Sequence, residues 1–227
     1  MGRASEPDTT ATVLIVGGGR FGRIAARRLG GRVLRVVEPR PTPELLALGV
    51  AVEKAEGVEA ARRALAQAHP PRWIVPCLPR HLLGLWLMAE LAEQAPRIRE
   101  LTPQDLPQTT SRLPGPDGTW FFSHADFLCP DDCPEPAAAC TVTGRPRPAD
   151  MFQLLAAVRL PGFRTAVVRS RQLAPGVGGL ESREMIALRD RLAARGGHWL
   201  VGTACRCHGV LQGLALQRGA QEGGDDD

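Results

Sequence analysis

The sequence predicts an α/β protein: a Rossmann-like, doubly wound parallel sheet followed by a cysteine-bearing loop and a smaller α/β subdomain. Three observations carry this. The apolar strand Val13-Leu14-Ile15-Val16 runs directly into Gly17-x-Gly19-x-x-Gly22. Strand-like and helix-like apolar periods then alternate from residue 11 to about 105, the pattern of βαβ units joined by right-handed crossovers. A second strand and helix alternation resumes at Asp150, after a stretch rich in proline and cysteine.

Taken in order, strands are expected at residues 12–16, 33–38, 50–53, 72–77 and, more weakly, 97–101. Phe21, Ile24, Ala25 and Leu29 share one face of a first helix, and Val58, Ala61, Leu65 and Ala68 one face of a second. The third helix, 82–94, is apolar around nearly its whole circumference through Leu82, Leu83, Leu85, Trp86, Leu87, Met88 and Leu91. Such a helix must be covered on two sides, either by the C-terminal half of the chain or by a second copy in a homodimer. Pro116-Asp117-Gly118 reads as a turn before the strand Thr119-Trp120-Phe121-Phe122. Asp150 and Gln153 have the spacing of a capping box at the head of a helix bearing Met151, Leu154, Leu155 and Val158. A strand at 164–171, a glycine turn at 175–179, a helix at 182–195, a strand at 198–203 and a short helix ending near Leu216 complete the pattern. The expected organisation is a tail at 1–10, a dinucleotide-binding domain at 11–105, a connecting segment at 106–149, a small subdomain at 150–218 and a tail at 219–227.

Each motif glycine answers a physical need. Gly17 makes the tight turn out of the strand, Gly19 lets backbone approach a pyrophosphate, and Gly22 allows close helix packing. Arg20 and Phe21 open the helix whose N-terminal N–H groups would face the phosphates. Glu38, ending the second strand, is placed to accept hydrogen bonds from ribose hydroxyls, which favours NAD(H) over NADP(H). Two other readings stay open: another adenine nucleotide such as ATP or ADP, or a βα turn that needs glycine only for sharpness, with Glu38 a solvated acid.

Cysteine is concentrated in two places, Cys129, Cys133 and Cys140 in the connecting segment and Cys205-x-Cys207-His208 after the last expected strand. If strands 164–171 and 198–203 are parallel, their following turns open at one edge. The loop cysteines could then join Cys205, Cys207 and His208 around Zn²⁺ or an iron–sulfur cluster. The spacings C-x3-C-x6-C and C-x-C-H differ from the C-x2-C knuckles usual in structural zinc sites. Incidental thiols around a stiff loop, or a redox pair such as Cys129 with Cys133, are the alternatives. Cys77 reads as a core thiol. For acid–base work His124, Asp126 and His208 are the candidates; His81 is more simply a helix-start residue, and Gly176, Gly178 and Gly179 an ordinary turn.

Composition narrows the function classes. The formal charge is +4, from 28 basic and 24 acidic residues, with Lys54 the sole lysine and neither tyrosine nor asparagine. The arginines are scattered and nearly matched by acids, with no basic run and no aromatic-studded strand, so a nucleic-acid partner is not expected. The longest apolar run, Leu82 to Leu91, is too short to span a bilayer. Met1 to Thr10 is polar and acidic, which fits neither a secretory signal nor a transit peptide, and a cytoplasmic location is expected.

The segment Val13-Leu14-Ile15-Val16-Gly17-Gly18-Gly19-Arg20-Phe21-Gly22, with Glu38 and the spacing of the strands, resembles the TrkA-N domain, the N-terminal RCK domain of potassium-transport regulators. The resemblance covers about the first 95 residues and implies a domain that binds NAD(H) or adenine nucleotides, dimerises and signals to a membrane transporter. It implies Gly17, Gly19, Gly22 and Glu38 as nucleotide contacts. The fourth strand departs from that family by ending Pro76-Cys77-Leu78-Pro79, and no RCK C-terminal domain is evident. The glycine pattern also looks like the NAD-dependent precorrin-2 dehydrogenase part of sirohaem synthases, which implies an oxidoreductase.

Overall fold

Four parallel strands, β1 (Val13–Val16), β2 (Val33–Val37), β3 (Val52–Glu53) and β4 (Trp73–Pro76), stand in the order β3-β2-β1-β4 in a computed structural model that describes residues 13–217. The expected tails at 1–10 and 219–227 lie outside the described residues. The connecting helices are α1 (Arg20–Leu29), α2 (Pro43–Leu46) and α3 (Gly57–Leu65). The chain leaves β1 for β2 on one side and returns from β3 to β4 on the other. The carboxyl ends of β1 and β4 therefore flank a topological switch point, where open α/β sheets hold ligands.

That sheet is finished by the far end of the chain. An antiparallel hairpin, β9 (Arg171–Ala174) and β10 (Val177–Glu181), adds to β4 through Leu180 opposite Ile74 and Glu181 opposite Trp73. The sequence pattern placed this segment in a separate subdomain as a simple glycine turn. Instead it covers the edge that β4 would otherwise expose.

The second sheet runs β6 (Ser111–Pro114), β7 (Thr119–Ser123), β12 (His208–Leu216), β11 (Gly197–Ala204) and β8 (Phe163–Arg169). β8 and β11 are parallel, as expected. β5 (Arg97–Arg99) pairs with Gly213 to Ala215 of β12 and so belongs to this sheet rather than to the first. The turn through Gly209 and the short helix expected to end near Leu216 are replaced from His208 on by the long strand β12, because Gly209, Leu211 and Gly213 to Leu216 pair into a sheet that buries most of them. Propensity for a short helix yields here to tertiary pairing.

Three further helices, α4 (Leu82–Glu90), α5 (Met151–Ala156) and α6 (Ser182–Arg195), complete five layers. Side chains of α1 and α2 cover one face of the first sheet in a core of Val13, Ile15, Ala25, Leu29, Val36 and Leu45. α3, α4 and α6 lie between the two sheets, where Leu14, Ile74, Trp86, Leu87, Leu188, Trp199 and Leu214 share one core. α5 covers the outer face of the second sheet with Met151 and Leu155 against Leu200 and Leu211. The all-round apolar character of α4 is thus explained within one chain: Leu82, Leu83, Trp86 and Leu87 are all fully buried between layers. Burying side chains of this size stabilises by about 1.5–3 kcal/mol each.

A polar seam crosses this interface. His81 Nδ1 lies 3.3 Å from Gln212 Oε1, Gln212 Nε2 donates to the Asp117 carbonyl at 2.6 Å, and Arg80 pairs with the Asp117 carboxylate at 2.7 Å. Among the described residues His81 Nε2 is buried without a partner, and burial pushes this histidine down to about 4.

Candidate functional site

The glycine turn has the local geometry the motif demands. Gly17 has φ +106°, closed to side-chain-bearing residues, and a Cβ there would lie 2.5 Å from the Cys77 carbonyl oxygen. A Cβ on Gly22 would overlap the Gly17 carbonyl oxygen, so α1 sits as close to the turn as it does only because Gly22 has no side chain. Gly19 is different: among the described residues nothing lies within 4 Å of where its Cβ would be. The fold has no need of glycine there, whereas a ligand approaching the backbone would. Glu38 turns toward this loop, accepting from the N–H of Gly18 at 2.8 Å and of Arg40 at 3.1 Å.

Beyond the α1 N-terminus opens a cavity of about 1010 Å³. Arg20 and Phe21 line it on the first-sheet side. On its other walls stand Cys129, Cys133, Cys140, Cys205, Cys207 and His208, so the two cysteine clusters meet. His124 and Asp126 line it as well, while Glu38 and His81 do not.

Local backbone chemistry places the thiols. Cys205, Arg206 and Cys207 form the tip of the β11–β12 hairpin, closed by Cys205 N–H to the His208 carbonyl at 2.9 Å. The expected strand-to-helix turn is therefore a hairpin tip. α5 fixes it, since the N–H groups of Met151 and Phe152, orphans of a helix start, donate to the carbonyls of Arg206 and Cys205 at 2.9 and 3.1 Å. Asp150 is correspondingly no capping-box residue; its carboxylate pairs with Arg206 at 2.5 Å. Cys140 opens a tight turn closed by Gly144 N–H to the Cys140 carbonyl at 2.9 Å. The Cys129–Cys133 segment is tied to the first sheet. Asp131 pairs with Arg20, its carbonyl accepts from Arg28 at 2.5 Å, and the Cys133 carbonyl accepts from Gly176 N–H at 2.9 Å and Gln172 at 2.7 Å. Gly176 is thereby used as a structural turn.

Two sulfurs accept pairs of backbone N–H groups from the residues two and three positions on. Cys205 Sγ is 3.4 Å from the amides of both Cys207 and His208, and Cys140 accepts from Thr143 and Val142. Those amide bonds hold the Cys140 thiol below its ordinary range. Cys205, Cys207 and Cys129 are held above theirs. Burial pushes Cys205 up to about 12, with the Glu135 carboxylate adding, and pushes Cys207 up to about 11, where Arg147 opposes and Glu135 adds. Burial and then the neighbouring Cys133 and Cys140 raise Cys129. His208 is held down by burial; its Nε2 is 3.6 Å from Cys129 Sγ and its Nδ1 4.0 Å from Cys205 Sγ. His124 is anchored through Nε2 to the Ala149 carbonyl at 2.9 Å.

Soft sulfur and imidazole donors on one cavity suit a thiophilic cation or a cluster. Among the described residues, no three His, Cys, Asp or Glu side chains converge at metal-holding distances. Three contributors escaped the sequence reading: Glu135, in the left-handed region at φ +49°, Asp131 and Arg147. No spacing marks them, and nothing distinguishes Arg147 among so many arginines.

The fold and site define a two-sheet α/β protein in which the start of α1, Arg20 and Phe21, borders the same cavity as the thiol cluster. Residues 83–217 match the family model AF_1314_C, described as "Uncharacterized protein, C-terminal domain", and the chain belongs to that family. It is also 29% identical over 215 residues to an "Uncharacterized protein" of Archaeoglobus fulgidus, an alignment covering 88% of this chain and 98% of that relative. No solved structure matches.

Proposed function

We propose that this chain is an NAD(H)-binding regulatory or sensor protein that carries a thiolate-rich metal or iron–sulfur site. The observation that carries the reading is the shared cavity: Arg20 and Phe21, at the start of the helix that would face a pyrophosphate, border the same space as five cysteines and His208. The open ground beside Gly19 supports a dinucleotide seat there. Glu38 would exchange its Gly18 contact for, or share it with, a ribose hydroxyl. A cation or cluster, when bound, would supply charge neutralisation of the thiolates and, in the cluster case, an electron reservoir. The protein's own part is to hold the sulfurs on two anchored turns. Six free thiols fit a reducing cytoplasm. The likeness to TrkA-N domains names a potassium transporter as the kind of partner such a regulator would address. Among the described residues no helix is long and apolar enough to cross a membrane.

A second reading, an NAD-dependent oxidoreductase including a precorrin-2 dehydrogenase-like activity, draws on His124, Asp126 and His208 lining that cavity within reach of a bound substrate. The test is equilibrium binding of NADH to protein purified anaerobically, with metal and acid-labile sulfide measured on the same sample. Saturable NADH binding without turnover, with metal present, is the expected result. Steady NADH oxidation lost on His208→Ala selects the oxidoreductase, and absence of NADH binding overturns both readings.

A further inference from the structure

The cavity has a neighbour on the second sheet. Ser111, Ser123 and His208 line both the cavity and a recess of about 330 Å³, a volume at the lower end of small-ligand sites, which run from about 300 to 1,000 Å³. The floor of the recess is one row of side chains in register across four strands. Leu113 of β6 lies opposite Phe121 of β7, Phe121 opposite Val210 of β12, and Val210 opposite Thr203 of β11. The row runs on into Val168 of β8, which is buried in the core shared by the two sheets. Residues paired across strands share a face, so the core face of the second sheet continues into the recess. There it comes into the open: Leu113 is 60% exposed and Phe121 36%. The β6–β7 turn sets the Phe121 ring, since a Cβ on Gly115 would overlap it. The next row turns polar, with Ser111 opposite Ser123 and Ser123 opposite His208. Phe21, Leu128 and Val142 line the cavity itself, so five of the seven exposed large apolar side chains among the described residues gather around these two spaces. Exposed apolar residues scattered singly need no explanation, but a gathering at one cavity does.

Arg147 supplies the second, independent observation. Its side chain is only 5% exposed and lines the cavity. Nη2 donates to the Pro136 carbonyl, and Nε stands 4.0 Å from Asp150, whose carboxylate Arg206 already engages at 2.5 Å. Nη1 is buried with no partner among the described residues. The guanidinium is within electrostatic reach of Cys207, the residue before His208, which cavity and recess share. A buried guanidinium with an unmatched donor is costly unless negative charge stands beside it.

We propose that recess and cavity together hold a small amphiphilic organic anion, with its apolar body on Leu113, Phe121 and Val210, its middle along the polar row and its carboxylate set against Arg147. A neutral apolar molecule would leave the guanidinium unmatched, and a bare inorganic anion would leave the apolar row in water. The ligand is a second occupant, beside the nucleotide rather than in its place, and its binding depends on neither the dinucleotide nor the metal reading.

The test is calorimetric titration of the full reduced chain with octanoate, with octan-1-ol as the uncharged counterpart and inorganic phosphate as an anion without an apolar body. One octanoate per chain is expected, bound roughly 10- to 100-fold tighter than octan-1-ol, the scale of a hydrogen bond to a charged group. Phosphate should bind more weakly than octanoate. Arg147→Gln should bring octanoate down to the level of octan-1-ol, and Arg147→Lys should restore most of the difference. Leu113→Ser and Phe121→Ser, both at exposed positions, should weaken octanoate and octan-1-ol alike by roughly 3- to 10-fold. Circular dichroism reports folding, and the preference of the unmodified chain for octanoate reads the charge even where Arg147→Gln does not fold. Equal binding of octanoate and octan-1-ol overturns the anionic assignment. Phosphate bound as tightly as octanoate, with octanoate indifferent to Phe121→Ser, overturns the apolar one. No octanoate binding overturns the proposal whole, and a dimer dispersed by Leu113→Ser in sedimentation then gives the apolar row to a second copy of the chain. NADH binding on the same sample is a separate readout, so this inference and the nucleotide reading can fail independently.

Discussion

Replacing each motif glycine by alanine, one at a time, separates what the fold requires from what a dinucleotide would require. At Gly22 the new methyl overlaps the Gly17 carbonyl oxygen, and backbone on both sides leaves no soft neighbour to yield. Overpacking of this kind costs about 1–3 kcal/mol. At Gly17 the methyl approaches the Cys77 carbonyl at 2.5 Å and φ is +106°, so backbone strain of about 1–3 kcal/mol adds to the clash. At Gly19 there is nothing within 4 Å among the described residues, and stability should stay within about 0.5 kcal/mol of wild type. The same methyl would hold a pyrophosphate away from the α1 N–H groups. Losing one hydrogen bond to a charged group, about 1.5–3 kcal/mol, weakens NADH roughly 10- to 100-fold. Urea unfolding and equilibrium NADH fluorescence on the three variants give both numbers. Wild-type NADH affinity in Gly19→Ala refutes the assignment of the seat, and wild-type stability in Gly22→Ala refutes the packing argument.

Alkylation at neutral pH should modify Cys140 first in the metal-free protein, because its thiol is held low, and Cys77 and Cys205 last, because burial pushes both thiols up to about 12; mass spectrometry reads the order. His81, held at about 4 when folded against an ordinary 6.5, binds fewer protons folded than unfolded. It therefore contributes stability that is complete above about pH 6.5 and is lost as pH falls toward 4, in all about 3 kcal/mol. His81→Gln should flatten that part of the urea-midpoint profile between pH 7 and pH 4. Asp131→Asn removes a carboxylate that competes for the exposed Arg20; stability should change by less than about 1 kcal/mol while NADH binds up to about fivefold tighter, and weaker binding would refute the competition.

Local chemistry made much of the first sheet legible in the sequence. The apolar run at Val13 to Val16 is buried throughout as its composition suggests, and the faces of α1 and α3 hold in part: Ala25, Leu29, Ala61 and Leu65 are buried, whereas Phe21 is 57% exposed and Ala68 is exposed beyond the end of α3. The cysteine neighbourhood followed from one topological condition, β8 parallel to β11, which holds. What escaped depends on pairing between distant segments. Leu211 to Leu216 reads as helix or strand with equal ease until β11 lies beside it, and Arg97 to Arg99 gives no sign of which sheet it joins. Arg147, Asp131 and Glu135 matter through neighbours far along the chain, and single residue types carry no such address.

The β9–β10 hairpin makes the chain a clasp rather than two beads. A ribosome that has released only β1 to β4 has made a sheet with a bare edge, and the strand that closes it, Val177–Glu181, emerges a hundred residues later. Until then the early half has an open flank for other chains to pair with. The halves cannot be exchanged between proteins at a linker, because each carries a part the other needs. Duplication, fusion or truncation in this family should therefore preserve the span from β1 to β12 as one piece, and a fragment cut near residue 105 should aggregate even though every motif glycine is present.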